Sequence, residues 1–390
     1  MKRIDLAIIG GGCAGLSLAR DIARRAKSDP NVVVFEPREH YENDRTWCFW
    51  SLANDAPDSL VSHRWSEWQF SRDGDAVVQQ SSQSTYCLVS GADFYADAIE
   101  TTHSAKGIEL QTGVGVTSVV PDAAGFLLET SAGKFWARRV VDTRPPGEAE
   151  IAGIELYQVF EGVEIETDSA VTGSAIPSLM AHMQVDQDGF GFDYILPLGS
   201  NRWLVEATLF SPDPLSANHL TEKLQASLER MVPDGQFRCI RREKGIIPMG
   251  IRFHHSQRPA GWVRAGSGGG AVRAASGYAY RRIQRWSWEC AGLFTESGEV
   301  IGHQADSWLR QKMDFLFLKV LKNEPELSPG LFYHLARGTS ADAMARFMMD
   351  EARWPDLVAV IRALPKIPFL RNLFNPQPSP SLSTLEKGAA

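Results

Sequence analysis

Two kinds of residue in this chain of 390 could do chemistry: glycines spaced to admit a phosphate, and a glutamate set among apolar residues. Gly10, Gly12 and Gly15 fit G-x-G-x-x-G. Asp5-Leu6-Ala7-Ile8-Ile9 before them reads as a short buried strand, and Leu16, Leu18, Ala19, Ile22 and Ala23 after them fall at helical spacing. In that strand-turn-helix setting Gly10 permits the tight turn, Gly12 lets a pyrophosphate approach the backbone, and Gly15 lets helix and strand pack closely. The phosphates then sit on the positive end of the helix. Val32-Val33-Val34-Phe35-Glu36 reads as a second buried strand, its final carboxylate placed to hold a ribose diol. A second glycine-rich stretch, AGSGGGAVRAASGY, returns at residues 265–278, where Gly268, Gly269 and Gly270 permit close backbone approach. Two such stretches bracketing most of the chain fit a long ligand gripped at two places, which points to FAD.

The glutamate is Glu206. Phe190 to Pro197, a Gly199-Ser200-Asn201 turn and Arg202 to Phe210 read as a β-hairpin with period-two alternation. Leu204, Glu206 and Thr208 share one face, and Trp203, Val205 and Leu209 do not. The face carrying Glu206 is therefore either solvent or a site. Asp44-Arg45-Thr46-Trp47-Cys48-Phe49-Trp50 is dense in aromatics, which is also what core packing beside a cofactor domain looks like.

Elements must position these residues. Val114 to Val119 and Gly125 to Thr130 read as a small antiparallel sheet, and Phe135 to Pro145 as a strand that ends in a turn and returns beside the nucleotide. From Ser307 the periodicity is helical, with Leu309, Met313, Leu316, Phe317 and Val320 on one side. The expected fold is α/β: a Rossmann-type FAD-binding domain of the glutathione-reductase-like flavoprotein class, an antiparallel β-sheet substrate domain and a C-terminal helical part. The expected boundaries are 1–150 with 240–300, then 151–239, then 301–376, with a disordered tail at 377–390.

The formal net charge of −7 supplies no basic stripe for a nucleic acid backbone. The five cysteines, Cys13, Cys48, Cys87, Cys239 and Cys290, have no C-x-x-C or metal-ligand spacing. They read as reduced, mostly buried thiols of a cytoplasmic protein, and no metal is expected. The first strand begins too early to leave room for a signal peptide, and no run reaches the roughly 18 apolar residues of a membrane span. The stretch from Leu357 to Arg371 alternates apolar clusters with cations. It is either an interfacial segment lying on a membrane or a terminal helix folded onto its own core.

Taken in order, these segments resemble the bacterial lycopene β-cyclases, flavoproteins of carotenoid biosynthesis, over nearly the whole chain. Asp5 to Gly15 resembles the family's nucleotide fingerprint, and Thr46-Trp47-Cys48-Phe49 its Thr-Trp-Ser-Phe segment. Phe192-x-Tyr194-x-Leu196-Pro197-Leu198 is similar to its Phe-x-Tyr-x-Leu-Pro-Leu strand. Leu204-Val205-Glu206-Ala207-Thr208 is similar to its catalytic Phe-Leu-Glu-Glu-Thr segment, which places the family's essential glutamate on Glu206. Glu243-x-Gly245-x-x-Pro248 fits the strand that follows, and Gly266 to Tyr278 its flavin-side segment. The chain departs from the family's pattern at Ala181, Gly191, Ala207 and Ala274.

The resemblance implies a catalytic Glu206, a cofactor site of Gly10, Gly12, Ala14, Gly15, Glu36, Arg45, Gly268, Gly269, Gly270 and Gly277, and a substrate pocket of Trp47, Phe192, Tyr194, Trp203 and Tyr278. It further implies reduced FAD with NAD(P)H as reductant and no net redox change. The substrate would be lycopene or a similar acyclic carotenoid, and the protein a monomer or weak oligomer lying on the inner face of the cytoplasmic membrane. Closing a terminal isoprene ring needs a proton delivered to an alkene, a tertiary cation kept from water, and a proton removed. Glu206 is either the acid or the base. On the same scaffold a flavin monooxygenase or isoprenoid reductase would share the glycines and Glu36, and a flavin-binding protein without catalysis would leave Glu206 without purpose.

Overall fold

The computed structural model describes residues 1–53, 55, 59–168, 175–254 and 258–374; the tail expected at 377–390 lies outside the described residues. Apolar runs that must be buried on both faces build the first sheet. Val32–Glu36 is buried throughout and pairs in parallel with Lys2–Ile9, which pairs in parallel with Gly133–Asp142. Ile108–Thr112 lies outside Val32–Glu36, and Trp262–Arg264 beside the end of Gly133–Asp142. The strand expected to return to the parallel sheet does so. The two strands expected to form a small antiparallel sheet, Val116–Asp122 and Gly125–Thr130, pair with each other but extend this same sheet, making it seven-stranded.

The helix Cys13–Arg25 follows the glycine turn and packs on the helix Tyr280–Ser297, where Ser287 donates to Asp21 at 2.5 Å. Glycine is obligatory in this turn at two places. Gly10 has φ +98°, and a Cβ on Gly15 would lie 1.9 Å from the Gly10 carbonyl oxygen.

The second sheet is also seven-stranded, in the order Phe237–Met249, Leu156–Thr167, Arg202–Ser211, Gly189–Pro197, Ser178–Asp186, Glu67–Arg72, Asp75–Gln80. Its outermost hairpin, 67–80, falls in the stretch assigned from sequence to the nucleotide-binding part, and the strand through Glu243 crosses the boundary drawn at 240. Both joins are made by long-range pairing, Gln69 with Ser178 and Glu243 with Gly162, which local pattern does not register.

Each face of this sheet is covered, so alternation here separates two buried surfaces. On one, Val159, Val163, Trp203, Val205 and Leu209 pack under Leu224 and Leu228 of the helix Thr221–Met231. On the other, Phe190, Phe192, Leu204 and Phe210 meet Trp50, Tyr86 and the C-terminal helices through Leu318, Leu331 and Phe332. Fully burying each such side chain is worth about 1.5–3 kcal/mol. Five helices follow Ser307, from Trp308–Asn323 to Lys366–Phe374, as the periodicity requires. A third, three-stranded sheet of Thr46–Leu52, Ser84–Ser90 and Val61–Trp65 supplies further side chains to the second face.

Candidate active site

The first cluster lies at the N-terminus of the helix Cys13–Arg25. Its N-cap is Gly12, which has no side chain to cap the first turn, so the donors there face outward without a side-chain acceptor. A Cβ on Gly12 would meet nothing within 4 Å. Glu36 accepts from the Gly11 N–H at 2.7 Å and pairs with Arg38 at 2.8 Å. These hydrogen bonds and the Arg38 charge outweigh burial and hold its carboxyl below the usual carboxylate range. Arg45, ion-paired with Asp44 at 2.8 Å, acts electrostatically on Cys13 at the helix start. An open, positively polarised cradle with a carboxylate beside it is what an anionic dinucleotide needs, and the residues fit one.

The late glycine stretch meets the first: a Cβ on Gly266 would lie 3.2 Å from the Ala14 Cβ. Gly268 and Gly269 are accounted for by protein packing, since a Cβ on either would collide with Arg264 or the Arg144 carbonyl. Gly270, at φ +88° with nothing within 4 Å, is the open one. Gly277 has φ +73° and packs on Gln158 of the second sheet. One segment therefore joins the nucleotide cradle to the second cluster.

That cluster is built on the face of the second sheet opposite the helix Thr221–Met231. Tyr194, Glu206, Gly162 and Glu243 are register partners on four adjacent strands, so they form one row across the sheet. Directly opposed residues project to the same side. Glu206 reaches over the glycine between them, and Glu243 acts on its ionisation. Glu243 also accepts from Thr46 Oγ1 at 2.9 Å and from Arg241 Nη1 at 2.5 Å. Arg241 in turn bonds Glu164 and Thr46, each at 2.6 Å. Beyond Glu206, the Tyr86 hydroxyl bonds those of Tyr194 at 2.7 Å and Tyr278 at 3.1 Å.

Glu206, Tyr194, Tyr278 and Cys48 share a further property. Each is half-buried, with part of its surface accessible. Burial, the hydrogen bond to Glu243 and that residue's negative charge push the Glu206 carboxyl well above the usual carboxylate range, against the opposing pull of Arg241. A carboxyl shifted this way keeps its proton to higher pH than an exposed one does. Burial likewise pushes Tyr86, Tyr194 and Tyr278 up, so the wall around it is uncharged and aromatic.

Of the residues expected in a substrate pocket, Phe192, Tyr194 and Tyr278 share this side with Glu206. Two lie elsewhere. Trp47 is on the face of its strand opposite Thr46 and Cys48, stacked on Tyr280 and edge-on to Phe94. Trp203 points to the other side of the sheet, beneath the helix Thr221–Met231. Alternation explains both, because each adjoins in sequence a residue that faces the cluster. Sequence reasoning missed Gly162, Tyr86 and the role of Glu243, which it recorded only as a strand match. Of the five thiols, expected to be mostly buried, Cys87 and Cys290 are buried, Cys13 and Cys48 are partly buried and Cys239 is exposed.

The family model described as lycopene cyclase protein matches residues 5–374. The lycopene beta-cyclase of Pseudescherichia vulneris is 26% identical over 220 residues, which are 54% of this chain and 52% of that protein. The lycopene beta-cyclase of a Paracoccus species is 32% identical over 133 residues, 31% of this chain and 32% of that one. The matched stretches thus span about half or less of these relatives' lengths. In fold, the chain is similar to a geranylgeranyl bacteriochlorophyll reductase-like protein from Thermoplasma acidophilum, with TM-score 0.59 and 12% identity over 93% of this chain and 96% of that one. It is also similar to p-nitrophenol 4-monooxygenase PnpA from Pseudomonas putida, with TM-score 0.58 and 14% identity over 95% and 99%.

Proposed function

The chain belongs to the lycopene cyclase family, and from that premise we propose that it closes the linear ends of lycopene, or of a similar acyclic carotenoid, into β-ionone rings. Glu206 is the proton donor. The observation that carries this reading is a carboxyl set among aromatic side chains and facing Glu243 across Gly162, surroundings that favour its protonated form, since only a protonated acid can deliver a proton to an unactivated alkene.

Protonation of the terminal double bond leaves a tertiary cation; the next double bond attacks it and closes the ring. Loss of a ring proton then gives an isomer of the substrate. Tyr194, Tyr278 and Phe192 line the side on which that cation forms, each cation-π contact being worth about 0.5–2 kcal/mol. The phenol chain through Tyr86 fixes two of these rings, and the buried surroundings keep out water that would trap the cation as an alcohol. Gly10, Gly12, Ala14, Gly15, Glu36 and Arg45 would hold FAD at one end, with Gly270 and the segment to Gly277 at the other. Bound there in its reduced form, with NAD(P)H as the proposed reductant, FAD would supply a negative charge beside the cation.

Product mass tests the reading. Incubated without oxygen with lycopene, FAD and NADPH, the protein should yield a product of unchanged mass with the shorter-wavelength absorption of a cyclised polyene. Added oxygen would indicate a monooxygenase and added hydrogen a reductase.

A substrate with essentially no aqueous solubility has to be drawn from lipid. No helix among the described residues is long and apolar enough to cross a membrane. The segment Leu357 to Arg371 is split between two helices, Trp354–Ala363 and Lys366–Phe374. Val360 and Pro368 turn inward, while Trp354, Ile367 and Phe374 are 70–79% exposed. Arg362, Lys366 and Arg371 stand among them, so we assign this surface to the membrane's cytoplasmic face. Replacing Ile367, Leu370 and Phe374 together by serine should lower liposome binding about a thousandfold or more, at about 1.5–3 kcal/mol for each side chain withdrawn from lipid. Unchanged flotation of the folded triple variant would place the contact elsewhere.

A further inference from the structure

Neighbouring strands lie about 4.8 Å apart, so Glu206 and Glu243, two strands from each other, have backbones roughly 9–10 Å apart. Their side chains can meet only over a residue that has none. Gly162 is that residue: a Cβ there would lie 2.5 Å from the Glu206 Cγ. The carboxyl of Glu243 is fixed from behind by Thr46 and Arg241. Arg241 is shared with Glu164, which also bonds Arg202. Glu243, Arg241, Glu164 and Arg202 alternate in sign and sum to zero, so a charge on Glu206 would be an uncompensated negative charge in the interior.

We propose that Glu206 and Glu243 form a single proton-holding dyad across Gly162, with Glu206 the donor and Glu243 the positioning residue that keeps the proton on it and recovers it after ring closure. The proposal rests on the cyclase reading and deepens it. In the forward step the Glu206 O–H bond breaks and a C–H bond forms at the terminal alkene carbon. Two carboxylates then face each other across the glycine, an arrangement in which like charges favour uptake of one proton. The ring C–H bond breaks, its electron pair becomes the ring double bond, and its proton returns to the dyad. Protons balance and no other reactant is consumed.

The titratable groups facing the pair leave the dyad as the proton holder. Cys48, Tyr86, Tyr194 and Tyr278 are all shifted up by burial and stay neutral near pH 7, and Arg241 is held charged by its two carboxylate partners. Glu164 is engaged by Arg241 and Arg202.

The test uses infrared difference spectroscopy on the full-length protein without substrate, reading the C=O band of a protonated carboxylic acid as pH is raised. Wild type should show a band that persists through neutral pH and is absent from Glu206→Gln. In Glu243→Gln, the loss of the facing negative charge should move its disappearance toward acid by about one pH unit or more. Gly162→Ala keeps Glu243 and its ion pair but pries the carboxyls apart, and should give the same shift; Glu243→Asp should restore part of it. The alkaline fall of turnover should move in parallel. A band whose titration is the same in wild type, Glu243→Gln and Gly162→Ala would overturn the dyad even if the wild type cyclises lycopene. The shifted band in a protein that leaves lycopene unchanged would sustain the dyad and remove the cyclase reading.

Discussion

Glu206→Gln is expected to lower cyclisation by about a thousandfold or more, the upper part of what a positioned general acid contributes. The amide matches the carboxyl in size and can still hydrogen-bond across Gly162 to Glu243, so the sheet and the flavin site should be undisturbed. It cannot give up a proton to an alkene. The variant should also gain stability relative to wild type as pH rises, for a reason that can be signed. An unfolded glutamate releases its proton near pH 4.5, whereas folded Glu206 holds it to well above that value. Between the two values folding takes up a proton, so wild-type stability is fully present below the lower one and declines as pH rises toward the upper. Glutamine has no such dependence. Thermal melts at about pH 5 and about pH 8 should therefore show the variant gaining on wild type at the higher pH. Near wild-type turnover at equal flavin content would move the chemistry off Glu206.

Gly12→Val is expected to abolish flavin retention while the apoprotein folds. A Cβ at this position meets nothing within 4 Å, so the protein itself does not object to it; the space it fills is the one a pyrophosphate needs above the uncapped helix end. Gly15 provides the contrast. There a Cβ lies 1.9 Å from the Gly10 carbonyl oxygen, and Gly15→Ala should cost about 1–3 kcal/mol of stability through overpacking. Flavin absorbance after purification, set beside a thermal melt for each variant, separates the two effects. If Gly12→Val purifies yellow with full flavin content, the nucleotide does not lie on this loop.

The first sheet with its glycine turn and helix was legible in the sequence because its determinants are local. Strand, glycine turn, helix and carboxylate follow one another within residues 2–36, and each has the backbone setting its spacing requires. The helical C-terminal part was legible for the same reason. Alternation placed Glu206 with Leu204 and Thr208 correctly, but could not say that both faces of that sheet would be covered. Nor could it reveal Glu243. The two carboxyls meet because a third strand, carrying Gly162, runs between theirs, and that order of strands is a tertiary fact. Trp47 and Trp203 were drawn into the pocket by motif proximity, although a residue next in sequence to a site residue on a strand faces away from it. The hairpin 67–80 joins the second sheet through a partner strand about a hundred residues further on, a pairing that local pattern does not register.

The most direct test of the central claim, proton-initiated ring closure without net redox change, is to run the anaerobic reaction with reduced FAD in D2O and measure the product by mass spectrometry. The exchanged acid should deliver one deuterium for each ring closed, with no oxygen and no pair of hydrogens gained, and Glu206→Gln should yield only unlabelled, uncyclised substrate. A cyclised product lacking solvent deuterium, or a product carrying added oxygen or a reduced double bond, would contradict it.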